Sequence, residues 1–222
     1  MLWAPRLLGW WVAVLFMAGS TCFAIGAFTP FQAAAGAVVA GIVFFVGSIF
    51  FTAAAYGQFV QSINGDGGTN RRLFAIVPRH AEWWAASVQL VGTLWFNVNT
   101  FDALRVGSGA HQQNLRVWTP DVLGSVCFLV ASFIALRAAS VRGSTDHRIG
   151  VINLAGSVCF MAAAIAAFTL PATDNYLDAS LVNGGTFLGA LCFFWGARLL
   201  LLELAPATTE RRNHDVHALA SS

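Results

Sequence analysis

The chain has 222 residues, of which 57% are hydrophobic and only 10% are charged, and its mean hydropathy is +0.68. Soluble domains carry about 25% charged residues, so this composition is typical of a protein surrounded mostly by lipid. All 12 basic residues are arginine, which excludes lysine chemistry such as a Schiff base, and the net charge of +2 is too small to indicate nucleic-acid binding.

Six apolar segments are long enough to cross a bilayer, for which about 20 residues are needed. They are Leu7–Phe28, Phe31–Tyr56, Trp83–Leu104, Val122–Ala139, Ile149–Leu170 and Leu177–Leu202. Thr29-Pro30 and Thr119-Pro120 predict helix starts, because threonine caps a helix and proline suits its first turn. The sequence therefore predicts an all-α polytopic membrane protein with six transmembrane helices.

Shorter signals predict how these segments are connected. The first connection is only two or three residues long, so the first two helices are expected to form a tight hairpin. Pro171 is expected to end the fifth helix, and Asp174 or Asn175 to cap the sixth. We expect a six-helix membrane domain over 1–204 and a disordered cytoplasmic tail over 205–222, which is polar and begins beside Pro206.

The first segment has one rival interpretation, a cleaved signal peptide. Its apolar run is 22 residues long, whereas the apolar region of a signal peptide has about 7–15, and no Ala-x-Ala cleavage site follows it. We therefore expect an uncleaved first transmembrane helix.

One short motif recurs in every apolar segment: Gly, a small residue, two variable positions, then Phe. Membrane helices associate by close packing, and small residues let their backbones approach, so we interpret the motif as a packing device. Trp11 and Trp84 each stand eight residues before a motif glycine, which favours repeated two-helix hairpin units with the last two helices as a diverged third unit. The six copies begin at Gly19, Gly47, Gly92, Gly124, Gly156 and Gly189.

The four cysteines all occupy the fourth position of this motif, at Cys22, Cys127, Cys159 and Cys192. No Cys-x-x-Cys pair occurs, and the five histidines lie in predicted loops or in the tail. A small, polarizable thiol packs well between helices. We therefore interpret the cysteines as packing residues and expect neither a metal nor another cofactor.

The arginines predict how the chain is oriented. Six alternating spans put ten arginines on one side and only Arg105 and Arg116 on the other. Loops rich in arginine stay in the cytoplasm, so both termini are predicted there, in a multi-pass protein of the cytoplasmic membrane. The ten are Arg6, Arg71, Arg72, Arg79, Arg137, Arg142, Arg148, Arg198, Arg211 and Arg212.

Four polar residues of the third predicted helix are spaced by four, four and three, so they share one helix face. We call Gln89, Thr93, Asn97 and Thr100 the polar stripe. Polar groups in hydrocarbon need partners, so the stripe is expected to face the bundle interior or a watery cavity. It serves either interhelical hydrogen bonds or a ligand or solute site; the candidate partners are Asn99, Asp102, Asn153 and Asn183.

The run Trp83–Phe101 resembles the YrhK-like family of bacterial integral membrane proteins. The stretches Trp118–Ser125 and Gly47–Phe51 show the same resemblance, which covers most of the second to fourth helices and, more weakly, the last two. The family implies a small multi-span membrane protein and no particular activity. It therefore assigns no functional residue to this chain.

The sequence contains no motif for a nucleophile, a metal centre, a phosphate loop or a pair of catalytic carboxylates. A membrane enzyme is therefore the weakest of three interpretations. We expect a non-enzymatic membrane protein, such as an accessory or assembly subunit, with the lipid bilayer and other membrane proteins or further copies of itself as partners. The alternative is a small solute transporter or channel that uses the polar stripe.

Overall fold

The computed structural model describes residues 3–64, 72–105, 107, 109–139 and 142–220, without the side chains of 205–220. The described residues form helices and no strand, so the all-α prediction is confirmed. The helices are α1 Leu8–Ala27, α2 Thr29–Ala35, α3 Ala37–Asn64, α4 Ala81–Ala103, α5 Ala110–Gln113, a π-helical turn Asn114–Trp118, α6 Thr119–Ala138, α7 Thr145–Ala166 and α8 Ala179–Ala220.

Five helical stretches are long and apolar enough to cross a membrane. They are α1, α3, the continuous run Ala110–Ala138, α7 and the part of α8 over Ala179–Leu204, with mean hydropathies between 1.7 and 2.3. The helix α4 has 23 residues but is less apolar, because Gln89, Asn97 and Asn99 lie within it. Five of the six predicted spans thus have the length and composition of a membrane helix.

The six long helices form a closed ring in which each contacts two others. The order around the ring is α1, α3, α4, α6, α7 and α8, and α8 contacts α1 again. Residues near the ends of α3, α6 and α8 and near the starts of α4 and α7 line one common cavity, so these helix termini lie at one end of the ring. We call it the arginine end; its described arginines are Arg6, Arg72, Arg79, Arg137, Arg142, Arg148 and Arg198.

The second predicted span, Phe31–Tyr56, is divided in the structure. Gly36 has φ of +83°, a backbone conformation that favours glycine, and it separates α2 from α3. The Gln32 amide nitrogen donates to Gly26 O at 2.7 Å and to Asn183 Oδ1 at 3.1 Å. The prediction of a tight hairpin with a connection of two or three residues is therefore wrong, because a short helix held by these bonds connects α1 to α3.

The Thr29-Pro30 and Thr119-Pro120 pairs stand at the starts of α2 and α6, as predicted, and α6 directly continues the π-helical turn. Two other predicted boundaries differ. The α7 helix ends at Ala166 rather than Leu170. The carboxylate that caps α8 belongs to Asp178, which accepts from the backbone N–H groups of Ser180 and Leu181 at 2.9 and 3.0 Å. Asp174, a predicted cap, instead accepts from the backbone N–H of Ala110 at 2.8 Å.

The backbone of α8 is helical through Ala220, across the segment that composition predicts to be a disordered tail. The residues after Leu204 include Ala, Glu and Arg, which are good helix formers. The division of the chain into a membrane domain ending at 204 and a separate tail stays a prediction.

Each motif glycine lies against the motif of a neighbouring helix, in three pairs: α1 with α3, α4 with α6, and α7 with α8. A Cβ placed on Gly92 would lie 2.8 Å from Cys127 Cβ and 3.1 Å from Gly124 O. A Cβ on Gly124 would lie 2.7 Å from the Phe96 ring. The other two pairs make the same reciprocal contacts, which confirms the packing role of the motif.

The six motif phenylalanines meet at the centre of the ring. Phe23, Phe96 and Phe160 form one triangle with ring centroids 6.1–6.3 Å apart. Phe51, Phe128 and Phe193 form a second triangle with centroids 5.4–6.2 Å apart. Each ring of one triangle packs against one ring of the other, with the ring centroids of these three pairs 5.0–5.4 Å apart. We call these six rings the six-phenylalanine cluster. It fills the centre of the bundle.

The close approach at the motif glycines predicts that Gly92→Ala destabilises the protein. The added Cβ has no room against Cys127 Cβ and the Gly124 carbonyl, so the free energy of unfolding should fall by about 1–3 kcal/mol. Unfolding of the purified protein in detergent, followed by tryptophan fluorescence, measures this change.

Gly184→Ala is the matched control, because no atom lies within 4 Å of the position of its Cβ. Its stability should be unchanged or raised by up to about 1 kcal/mol, since alanine is the better helix former. Equal destabilisation by the two substitutions would contradict the packing role of the motif.

Candidate functional site

The polar stripe of α4 does not act as one unit. Thr93 is fully buried, and its hydroxyl donates to the carbonyl of Leu90 in its own helix at 2.7 Å. The Thr100 hydroxyl donates to Phe96 O at 2.7 Å and lies 3.0 Å from the Ser48 hydroxyl of α3. These two threonines are satisfied by protein groups.

Asn97 also bonds to α3. Its side-chain nitrogen donates to the Thr52 hydroxyl at 2.8 Å, while its side-chain oxygen is buried without a hydrogen-bond partner. Interhelical hydrogen bonds, one of the two interpretations of the stripe, therefore account for Asn97 and Thr100. Gln89 differs, because it lines a cavity.

The four candidate partners of the stripe lie elsewhere. The Asn99 side chain donates to Val117 O at 2.9 Å, and Asn183 accepts from Gln32 of α2. Asp102 lies in the last turn of α4 and belongs neither to the cavity nor to the bonds of the stripe. Asn153 of α7 does not bond to the stripe, but it lines the same cavity as Gln89.

A cavity of about 450 Å³ opens at the arginine end of the bundle. Its walls come from all six long helices, and small residues of α6 such as Ala135 and Ala138 leave the space open. Small-molecule sites typically have volumes of about 300–1,000 Å³. The cavity is therefore large enough for a small solute, and we call it the arginine-end cavity.

Amide side chains form one layer of the cavity wall. Gln89 and Asn153 each precede a motif glycine by three residues, so they occupy equivalent positions on α4 and α7. Each lies eight residues into its helix, about 12 Å from the helix start at 1.5 Å per residue. The equivalent position on α1 is Phe16, whose ring also lines the cavity. The helices α4 and α7 thus supply amides, and α1 supplies an aromatic wall.

Two amide oxygens in the cavity wall are buried without a hydrogen-bond partner, Gln58 Oε1 of α3 and Asn153 Oδ1. Asn153 reaches its position because α8 has a glycine there: a Cβ on Gly196 would overlap Asn153 Oδ1. A buried acceptor without a partner costs about 1–3 kcal/mol. Such atoms commonly mark a place where a ligand or ordered water completes the bonding.

The mouth of the cavity is acidic. Glu82 and Asp146 line it, each seven residues before the amide of its own helix, so the acid and the amide share one helix face two turns apart. The equivalent position on α1 is Gly9, and a Cβ there would lie 3.0 Å from Gln61 Nε2. The first unit therefore closes its side of the mouth with packed residues.

The inner limit of the cavity is the six-phenylalanine cluster, of which Phe193 lines the cavity itself. At the opposite end of the bundle, hydrogen bonds join the π-helical turn to the end of α7. Asn114 bonds to Thr169 in both directions, through Asn114 Nδ2 to Thr169 O at 2.7 Å and through Thr169 N to Asn114 Oδ1 at 2.8 Å. The Trp118 indole donates to Ala164 O at 2.9 Å. A separate open recess of about 560 Å³ lies at that end between α2 and the start of α8. The described lining of the arginine-end cavity includes no residue of that end.

Sequence analysis missed Gln58, Glu82 and Asp146. The signal for the two acids was present, since each stands ten residues before a motif glycine on the two helices that also carry an amide three residues before it. Gln58 offered no such signal, because only the packing of α3 against its neighbours turns it toward the cavity.

No protein-family model, curated protein or solved structure matches this chain. The arginine-end cavity is therefore interpreted from its own geometry. Its described lining offers amides, hydroxyls, two carboxylates and aromatic rings, but no histidine or cysteine.

The bond from Asn97 to Thr52 predicts an energetic coupling between α4 and α3. In a double-mutant cycle with Asn97→Leu and Thr52→Val, the coupling should be about 0.6–1.7 kcal/mol, the range for hydrogen bonds between membrane helices. Each single variant should lower the melting temperature by the same amount with and without added solutes, because neither residue lines the cavity. Additive effects of the two substitutions would show that the bond carries no stability.

Proposed function

We propose that this protein is a non-enzymatic integral membrane protein that transports a small solute, which it binds in the arginine-end cavity. The observation that carries the proposal is a cavity of about 450 Å³ that runs from the arginine end to the six-phenylalanine cluster and whose described lining includes no residue of the opposite end. Access from one side to a site at the bundle centre is one half of an alternating-access cycle. The filled centre of the ring favours such a carrier over an open channel.

Transport requires the bundle to cross the bilayer, and we propose six crossings, including α4. With 23 residues, α4 is long enough to span the hydrocarbon core and lies between α3 and α6 in the ring. Its Asn97 and Thr100 side chains bond to α3, so they do not face lipid unpaired. Polar residues are tolerated inside a membrane where they are paired in this way.

We further propose that the bundle consists of three repeated two-helix units. In the pairs α1 and α3, α4 and α6, and α7 and α8, the same reciprocal glycine–phenylalanine contact recurs. The three first helices of these pairs each place the motif phenylalanine 15 residues after the helix start, at Phe23, Phe96 and Phe160. This common plan, and membership of the YrhK-like family, remain proposals about the origin of the chain.

The orientation that we propose places the arginine end in the cytoplasm of a bacterial cell. Seven described arginines lie at that end, whereas the described arginines of the opposite end are Arg105 and Arg116. Arginine-rich termini of membrane helices stay on the cytoplasmic side. Both chain termini are then cytoplasmic, and the arginine-end cavity loads or releases its solute there.

Cysteine labelling tests this proposal without knowledge of the solute. A membrane-impermeant trimethylammonium thiol reagent should label Asn153→Cys and Gln89→Cys from the cytoplasmic side of sealed vesicles. The rate should be at least about tenfold above that of Leu94→Cys, because thiols in apolar surroundings remain protonated and unreactive. Leu94 is 51% exposed on the outer surface of α4 and is the matched control on the same helix.

The unsubstituted protein serves as the background, since its four cysteines are half-buried within the packed helices. Labelling of Asn153→Cys only from the outer side would reverse the proposed orientation. If neither cavity cysteine reacts faster than Leu94→Cys, the cavity is closed to water and the transporter proposal fails, which would favour an accessory or assembly subunit.

Gly196→Ala provides a second test of the cavity. The added methyl group would overlap Asn153 Oδ1 and push the amide into the cavity, so a small solute should lose space and hydrogen-bond partners. With Gln89→Cys/Gly196→Ala compared with Gln89→Cys alone, the labelling rate should fall, because the displaced Asn153 amide narrows the cavity beside residue 89. An identical rate would contradict the described contact between Asn153 and Gly196.

A further inference from the structure

The arginine end separates its charged residues by sign. Glu82 and Asp146 line the cavity, whereas all seven described arginines of this end are exposed and none lines it. Arg137 lies over the Phe133 ring and Arg198 over the Trp195 ring, at 5.9 and 5.4 Å from the ring centroids. Each therefore turns toward an exposed aromatic residue of its own helix. The cavity is an acidic opening within a basic surface.

The interior of the cavity also suits a group that donates hydrogen bonds. Gln58 Oε1 and Asn153 Oδ1 are buried acceptors without a protein partner. A side-chain amide can rotate so that either its oxygen or its nitrogen faces the cavity. A ligand with several N–H donors would therefore find acceptors from the mouth to the amide layer.

The innermost wall is aromatic. The ring of Phe16 lines the cavity at the level of the amide layer, and the ring of Phe193 lies below that layer and belongs to the six-phenylalanine cluster. A cation close to the face of an aromatic ring is attracted by the negative charge of that face, and an apolar body packs against the ring edge. This wall accepts a hydrocarbon or aromatic group as well as a positive charge.

The geometry points to a small organic cation as the solute, an ammonium group joined to an apolar or aromatic body. The ammonium lies near Glu82 and Asp146, and the body packs against Phe16 and Phe193. Among the described residues, no three His, Cys, Asp or Glu side chains lie close enough together to hold a metal ion, so a transition-metal ion has no such ligand set here. This inference rests on the proposed function of the arginine-end cavity.

Three probes of similar size that differ in charge test the inference: benzylammonium, benzyl alcohol and benzoate. Titration calorimetry on the full chain in neutral detergent should show the tightest binding for benzylammonium, weaker binding for benzyl alcohol and the weakest for benzoate. The Kd values of benzylammonium and benzyl alcohol should differ by about tenfold. The affinity for benzylammonium should fall as the salt concentration rises, because exposed carboxylates are screened, whereas that for benzyl alcohol should not.

The double variant Glu82→Gln/Asp146→Asn should reduce the affinity for benzylammonium by about tenfold, as expected for two partly screened charge pairs. It should leave the affinity for benzyl alcohol unchanged, which also shows that the variant is folded. Asp102→Asn is the matched control, because Asp102 lies on α4 like Glu82 but at the other end of the helix, outside the cavity. Its affinity for benzylammonium should equal that of the unsubstituted protein.

Four results would overturn the inference. Benzoate could bind as tightly as benzylammonium, or the double variant could keep the full affinity for benzylammonium. Binding of benzyl alcohol without preference for the cation would refute the solute class and leave the cavity as a binding site. If none of the probes binds, the organic-cation inference falls, while the labelling of Asn153→Cys decides independently whether the cavity is open.

Discussion

The reciprocal contact between a glycine of one helix and a phenylalanine of its neighbour underlies the whole structure. Helices in lipid gain little from burying apolar side chains, so their association depends on close packing. At Gly92 and Gly124 the two backbones lie so close together that a Cβ on either glycine would be only 3.1 Å from the carbonyl oxygen of the other. Each glycine also leaves the space that the partner's phenylalanine ring occupies. The same arrangement, repeated three times, joins six helices into three pairs, and the pairs pack against each other to close the ring.

A consequence of this packing is the division of the bundle into two unlike halves. The six phenylalanines are directed to the centre, where their two triangles fill the space that a continuous pore would need. On the arginine-end side of the cluster, α6 carries alanines, and the cavity remains open. At the opposite end, Asn114 and Thr169 fasten the connections to each other. The proposed transport therefore requires the cluster to part, which rotation of one two-helix unit against another would achieve.

Differences among α1, α4 and α7 create the candidate site. Three residues before the motif glycine these helices carry Phe16, Gln89 and Asn153, and seven residues earlier Gly9, Glu82 and Asp146. The helices α4 and α7 therefore each supply an acid and an amide, while α1 supplies a packed wall. The polar residues of the bundle serve two purposes: Asn97 and Thr100 join α4 to α3, whereas Gln89 and Asn153 remain free to bind a solute.

The sequence alone determined the all-helical class, the packing motif and the separation of arginines between the two ends, because these depend on composition and on spacing within single helices. It also identified the polar stripe, since the 3.6-residue period places Gln89 and Asn97 on one face. It did not show that Asn97 faces α3 while Gln89 faces a cavity, or that Gly36 divides a long apolar segment. Only the tertiary structure decided these points, because they depend on which helices are neighbours and how each is rotated about its axis. Glu82, Asp146 and Gln58 became candidate site residues for the same reason: three distant parts of the chain meet only when the ring closes.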